Sequence, residues 1–108
     1  MLNQLAAEGF GTVSIDVTDD DSVTTARDTL LELLPDLDTV ITMSGIGVAE
    51  DLRDPAHFID AARMVDVNLL GTIRVIDAFS PHLLRQGAPA AVAVGCCWAT
   101  NARRRAVR

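Results

Sequence analysis

Three observations predict an α/β domain built on a parallel sheet. A short β-branched run at 12–17 and short apolar runs at 39–43 and 90–94 read as strands. Segments at 20–34 and 61–80 have helical periodicity and lie between them. The order is strand, helix, strand, helix, strand, and such alternation calls for parallel strands joined by crossover helices.

The elements follow from local chemistry. The first eight residues suit the last turns of a helix, which Gly9 and Gly11 end. Thr18 and the acidic run Asp19, Asp20 and Asp21 suit a helix start, because anionic side chains favour the positive end of a helix dipole. Val23, Ala26, Leu30, Leu33 and Leu34 then fall on one face, with Thr25, Asp28 and Glu32 opposite. Pro35 stops this helix. Ser44-Gly45-Ile46-Gly47 is a turn after the second strand, and a polar loop runs on to Pro55. His57 to Ala62 suits a short helical turn. Pro81 and Gly87 mark the exit of the long helix that follows.

At about 100° per residue, Met64, Asn68, Val75 and Phe79 share one face of the long helix, with Gly71 and Thr72 at its edges. Asp66 and Asp77 point the other way, toward solvent. Asn68 is the anomaly, since a buried amide without partners costs roughly 1–3 kcal/mol. It is either a satisfied core amide pinning the helix to a strand end or a catalytic or positioning group. Helix geometry alone favours the first.

The chain has 108 residues, is 49% hydrophobic and carries a formal net charge of −6. That suits one domain with a packed core. The acidic balance argues against a nucleic-acid surface and is the wrong sign for anionic membranes. No apolar run reaches the roughly 20 residues of a membrane helix. The opening residues lack the basic start and apolar stretch of a secretory leader. Adjacent Cys96 and Cys97 staple nothing and suit a reducing compartment, so the cytoplasm is expected. All nine basic residues are arginine, and there is no lysine and no tyrosine. Arg103, Arg104, Arg105 and Arg108 crowd the last positions, so 96–108 reads as a disordered tail beyond a domain at 1–95. A small nucleic-acid hook and the end of an interrupted reading frame are the other readings of that tail.

Three motifs in order carry a family resemblance. Asp16-Val17-Thr18 closes one strand, Thr42-Met43-Ser44-Gly45 closes the next, and Val67-Asn68-Leu69-Leu70-Gly71-Thr72 lies in the long helix. Together with Ala49-Glu50-Asp51-Leu52 and Pro81-His82-Leu83, they resemble the short-chain dehydrogenase/reductase superfamily from about Leu5 to Val94. The resemblance implies a partial Rossmann-like three-layer fold and an NAD(P)-dependent oxidoreductase acting on an alcohol or carbonyl. It implies cofactor contact at Asp16 and Val17, whose counterparts meet the adenine, and at Ser44 and Gly45, where the chain passes the ribose. Only the glycine of the family's Asn-Asn-Ala-Gly turn is kept, with Thr42, Met43 and Ser44 in the other places. Asn68 matches the family's catalytic helix asparagine, which shifts its reading toward function. No metal is implied.

The departures are as informative. The family's first strand and phosphate-binding glycine loop belong before Met1. Cys96 aligns with the catalytic serine, and a thiol is the poorer hydrogen-bond donor. The family's tyrosine acid/base and its lysine have no counterpart of either type. The expectation is an oxidoreductase fragment that is inactive alone, whose bound nucleotide would be NAD or NADP. The alternative is a self-associating interaction module, a homodimer through an apolar long helix at 61–80. In the family's strand order two strands would separate 12–17 from 39–43, so 12–17 either collapses onto 39–43 or stays loose. Both long helices would cover one sheet face and leave the other bare. A Ser44–His–Asp triad lacks the Gly-x-Ser-x-Gly context, and the two histidines and two cysteines match no zinc spacing. Both histidines read as at least partly exposed, and Trp98 as a packing or tail residue.

Overall fold

The computed structural model describes residues 2–87 and 91–94. The tail at 96–108, with Cys96, Cys97 and Trp98, lies outside the described residues.

Helix α1 spans Leu2–Ala7, and the chain turns out of it at Gly9, whose φ of 89° suits a residue without a Cβ. Helix α2 spans Asp20–Leu33. Asp19 caps it, its carboxylate accepting from the Asp21 N–H, and Asp20 and Asp21 fill the first turn. Strand β1 is Thr39–Thr42 and β2 is Ala91–Val94, paired in parallel with Thr39 opposite Ala91 and Thr42 opposite Val94. Between them runs a helical stretch in three parts: α3 (His57–Val65), a π turn (Asp66–Leu70) and α4 (Gly71–Gln86). The two strands therefore form within a residue of the expected ends, and a helical crossover joins them.

Several expectations are corrected. No strand forms at 12–17, and the sheet has two strands among the described residues. Thr12, Val13, Ile15 and Val17 have strand propensity, but a strand exists only as a hydrogen-bonded pair. Here the Asp16 N–H donates to the Ser22 hydroxyl instead, and the chain turns at Val17 and Thr18. Of the two courses open to this segment, it remains unpaired. The helix expected at 61–80 begins earlier and ends later, and it is not one long apolar helix. The π turn interrupts it, and Arg63, Asp66, Arg74 and Asp77 lie along it. Pro81 sits inside α4 rather than at its exit. The carbonyl that its ring deprives of a donor belongs to Asp77, on the exposed side. Gly87 ends the helix in the left-handed conformation, φ 66°.

The core is small. Val23 and Ala26 of α2 and Val75, Phe79 and Leu83 of α4 are buried. Val17, Leu30, Leu31, Leu37, Val40 and Ala78 pack around the cluster that Val23 forms with Val75, Phe79 and Leu83. Val40 thus meets the helices, whereas Ile41, one residue on, is 62% exposed. Leu33 and Leu34, expected on the core face, are exposed instead, because α2 ends there and the core contacts of its last turn are made by Leu30 and Leu31.

His82 is also buried, only 8% exposed. Its Nε2 lies 2.9 Å from the Leu37 carbonyl, an acceptor, so that nitrogen carries the proton. Nearby the Gln86 side chain donates to the Pro35 carbonyl. These two bonds fasten the end of α4 to the turn before β1. His57 is half-buried at the start of α3, and among the described residues its enclosed Nδ1 has no partner.

Candidate functional site

The structure brings the expected residues to the ends of two segments. Asp16 and Val17 end the unpaired 12–17 stretch. Ser44 and Gly45 follow β1, and Asn68 is the middle residue of the π turn.

The amide of Asn68 is fully engaged. Its Oδ1 accepts the Ile46 N–H at 2.8 Å, and its Nδ2 donates to the Ile46 carbonyl at 2.9 Å. One side chain thus satisfies both polar groups of a single loop residue, as a strand neighbour would. Beside it the Val48 N–H meets Met64 Sδ at 3.4 Å. These contacts hold the loop after β1 against α3 and the π turn. The Asn68 carbonyl also accepts the Thr72 hydroxyl at 3.1 Å, one helical turn on. The helical face deduced from periodicity is kept in its contacts, but the π turn is a local break that an even 100° step does not contain.

Asp16 is exposed. One of its carboxylate oxygens accepts from both the hydroxyl and the N–H of Thr18, at 2.7 and 2.9 Å. The Thr18 hydroxyl, then its N–H, and then the positive charge of Arg74 hold this carboxyl below its usual range. Among the described residues its other oxygen has no bond. Val17 and Ser44 share the lining of a gap of about 350 Å³ between the 12–17 segment and β1. Ile15, Leu30, Leu37, Val40, Val75 and Phe79 line it too, so its walls are uncovered core rather than a polar cradle. Asp16 and Gly45 are not on that lining. The free carboxylate oxygen of Asp16 suits an exocyclic amine and the Gly45 turn suits close backbone approach, but the four residues do not line one common gap. None of these four residues carries a positive charge for a pyrophosphate.

Two residues that hold the arrangement together were given no role by sequence. Arg74 pairs through Nε with Asp20 at 2.9 Å and through Nη1 with Asp66 at 2.9 Å, and the same Nη1 donates to the Val17 carbonyl at 3.1 Å. The Asp66 bond, more than any other contact, raises its pKa further above the ordinary arginine value. Asp66 is thus an ion-pair partner and not the free solvent residue expected. Gly71 is the other: a Cβ there would stand 2.7 Å from Val17 Cγ2, so the helix comes this near only because the position is glycine.

Two parallel strands joined by a helical crossover make one βαβ unit, which places the chain among α/β proteins. The family comparison agrees: a profile described as short chain dehydrogenase matches residues 1–105, and the chain belongs to that family. It is 33% identical over 85 residues to human 17-beta-hydroxysteroid dehydrogenase type 1, covering 78% of this chain and 25% of that protein. Among solved structures, an alcohol dehydrogenase from Thermococcus sibiricus, complexed with 5-hydroxy-NADP, superposes with a TM-score of 0.64 at 30% identity. That match covers 83% of this chain and 39% of the other. A 3-oxoacyl-[acyl-carrier protein] reductase from Brucella melitensis with bound NAD gives 0.60 at 33% identity, covering 78% and 34%. The chain therefore spans about a quarter to two fifths of these relatives. No helix among the described residues is long and apolar enough to cross a membrane.

Proposed function

We propose that this chain is the middle segment of a cytoplasmic NAD(P)-dependent oxidoreductase acting on an alcohol or carbonyl, and that alone it does not turn over. The observation that carries this is Asn68, centred in a π turn and tied to the loop after β1, in a chain of this family. Asp16 and Val17 meet the adenine and Ser44 and Gly45 the ribose. Asn68 has a positioning part, shaping the loop beside it. When bound, a nicotinamide dinucleotide supplies the hydride chemistry. Moving the accompanying proton near neutral pH needs a side chain tuned to exchange it there. With no tyrosine and no lysine, these 108 residues lack the family's pair for that task.

The test is titration of the purified chain with NAD(H) and NADP(H), together with an assay on alcohol and carbonyl substrates. Weak binding without turnover agrees with the proposal. Micromolar binding with turnover overturns it.

A second reading is self-association. Phe58, Ile59, Val65, Leu69 and Ile73 are exposed along the crossover, more apolar surface than one small domain usually leaves open. Discrete dimers by light scattering, lost on Leu69→Ser, favour this reading; a monomer at all concentrations removes it.

A further inference from the structure

We propose that Arg74 is a positioning residue that sets the Asp16–Val17 turn against the π turn carrying Asn68. It rests on the nucleotide reading above for its functional meaning, though not for its geometry. The Arg74 guanidinium meets three separate pieces of chain. It donates to the Val17 carbonyl, 57 positions away, at 3.1 Å. It pairs with Asp66, the first residue of the π turn, at 2.9 Å. It pairs with Asp20, the first residue of α2, also at 2.9 Å. The planar fork of an arginine can span such a set, while a lysine ammonium acts as a point charge.

The three arms differ in what they hold. The Asp20 carboxylate side is 84% exposed, so that pair is screened and adds little. The Val17 bond matters more, because this segment lacks a strand neighbour and its carbonyl depends on the helix. The Asp66 bond holds the first residue of the π turn, two positions before Asn68. Through these two arms one side chain fixes the spacing between the residues assigned to adenine and the amide that shapes the loop after β1. The close contact of Gly71 with Val17 lies between the same two pieces and brings them near; Arg74 sets how they are turned.

The experiment is amide hydrogen exchange on the full chain, read at Ile46, Thr18, Val23 and Leu83, in the native protein and in Arg74→Met, Arg74→Lys and Asp66→Asn. Ile46 reports the Asn68 bond without touching Arg74, Thr18 reports the Asp16 turn, and Val23 and Leu83 report the core. In Arg74→Met, Ile46 and Thr18 are expected to exchange about tenfold faster or more with the core amides unchanged, and Arg74→Lys recovers only part of this. Asp66→Asn is expected to speed Ile46 alone, and it keeps the test open where Arg74→Met does not fold. Equal acceleration at all four amides, or none at Ile46 and Thr18, overturns the proposal. Native-chain titration with NADP(H) runs in parallel. Its failure with selective exchange intact counts against the nucleotide reading, and selective exchange lost with binding intact counts against Arg74.

Discussion

Gly71 and Val17 are in contact only because one of them has no side chain. A Cβ on Gly71 would lie 2.7 Å from Val17 Cγ2, 2.9 Å from its Cβ and 3.3 Å from its carbonyl oxygen. Alanine is the better helix former by about 1 kcal/mol, but overpacking costs roughly 1–3 kcal/mol. Gly71→Ala is therefore expected to destabilise by up to about 2 kcal/mol, read from the urea midpoint. Gly47→Ala, with nothing within 4 Å, is the control and stays within about 0.5 kcal/mol. Val17→Ala in the Gly71→Ala background removes the nearest atom and recovers part of the loss.

Asn68→Ala strips both hydrogen bonds from Ile46 and is expected to cost about 1–3 kcal/mol, with the loop at Ile46 losing its exchange protection. Asn68→Asp keeps an acceptor for the Ile46 N–H but sets an oxygen against the Ile46 carbonyl. Its deficit against the native chain should narrow as the pH falls and the acid gains a donor proton. Denaturation at several pH values checks this, and a deficit independent of pH contradicts the bond assignment.

Asp16 gives a second pH dependence, with a sign fixed by its lowered pKa. Because the folded chain favours the carboxylate, the turn is fully supported above the ordinary value of 3.8 and loses that support as the pH drops through the folded midpoint. Carboxyl NMR titration should place the Asp16 midpoint below 3.8. Thr18→Ala removes the largest cause and leaves the N–H, so the midpoint moves only part of the way back. A Thr18→Ala midpoint identical to the native one would contradict the turn.

The core rests on few residues, so single truncations weigh heavily. Leu83 is 1% exposed, and Leu83→Ala is expected to cost about 2–5 kcal/mol, enough to unfold a domain of marginal stability. His82→Leu keeps the apolar contact and leaves the Leu37 carbonyl without its donor, at about 1–2 kcal/mol. Circular dichroism melts order these variants: Leu83→Ala well below His82→Leu, and His82→Leu below native.

Sequence made some of this legible and hid the rest for physical reasons. The β1 segment is a β-branched run and β2 alternates alanine and valine, on either side of a helical crossover, and local chemistry places them correctly. The 12–17 run has the same local chemistry, but pairing is a property of two segments, and its pairing partner cannot be read from its own residues. Asn68 stood out as an amide on an apolar face, and its bond to Ile46, 22 positions away, is a tertiary fact. Arg74 was passed over because a charged helix residue ordinarily faces water. His82 was misjudged because Pro81 looked like a helix end, whereas α4 continues through it and carries the ring inward. Residue roles at Asp16, Ser44 and Gly45 came from resemblance, and their geometry alone does not assign them.

The wide turn at Asp66–Leu70 works as a rotary adjustment within the crossover. Each residue of an α-helix advances the azimuth by about 100° and the axis by about 1.5 Å. Winding the same five residues as regular α-helix would give a single smooth rod from His57 onward, yet it would swing α3 about a quarter of a revolution relative to α4. Met64 would then face away from Val48, while Val75 and Phe79 kept their seats in the core. The extra residue that this turn absorbs therefore lets the hydrophobic cluster and the loop beyond β1 be served by two differently aimed faces, one for the part of the chain that holds it folded and one for the part that shapes its working end.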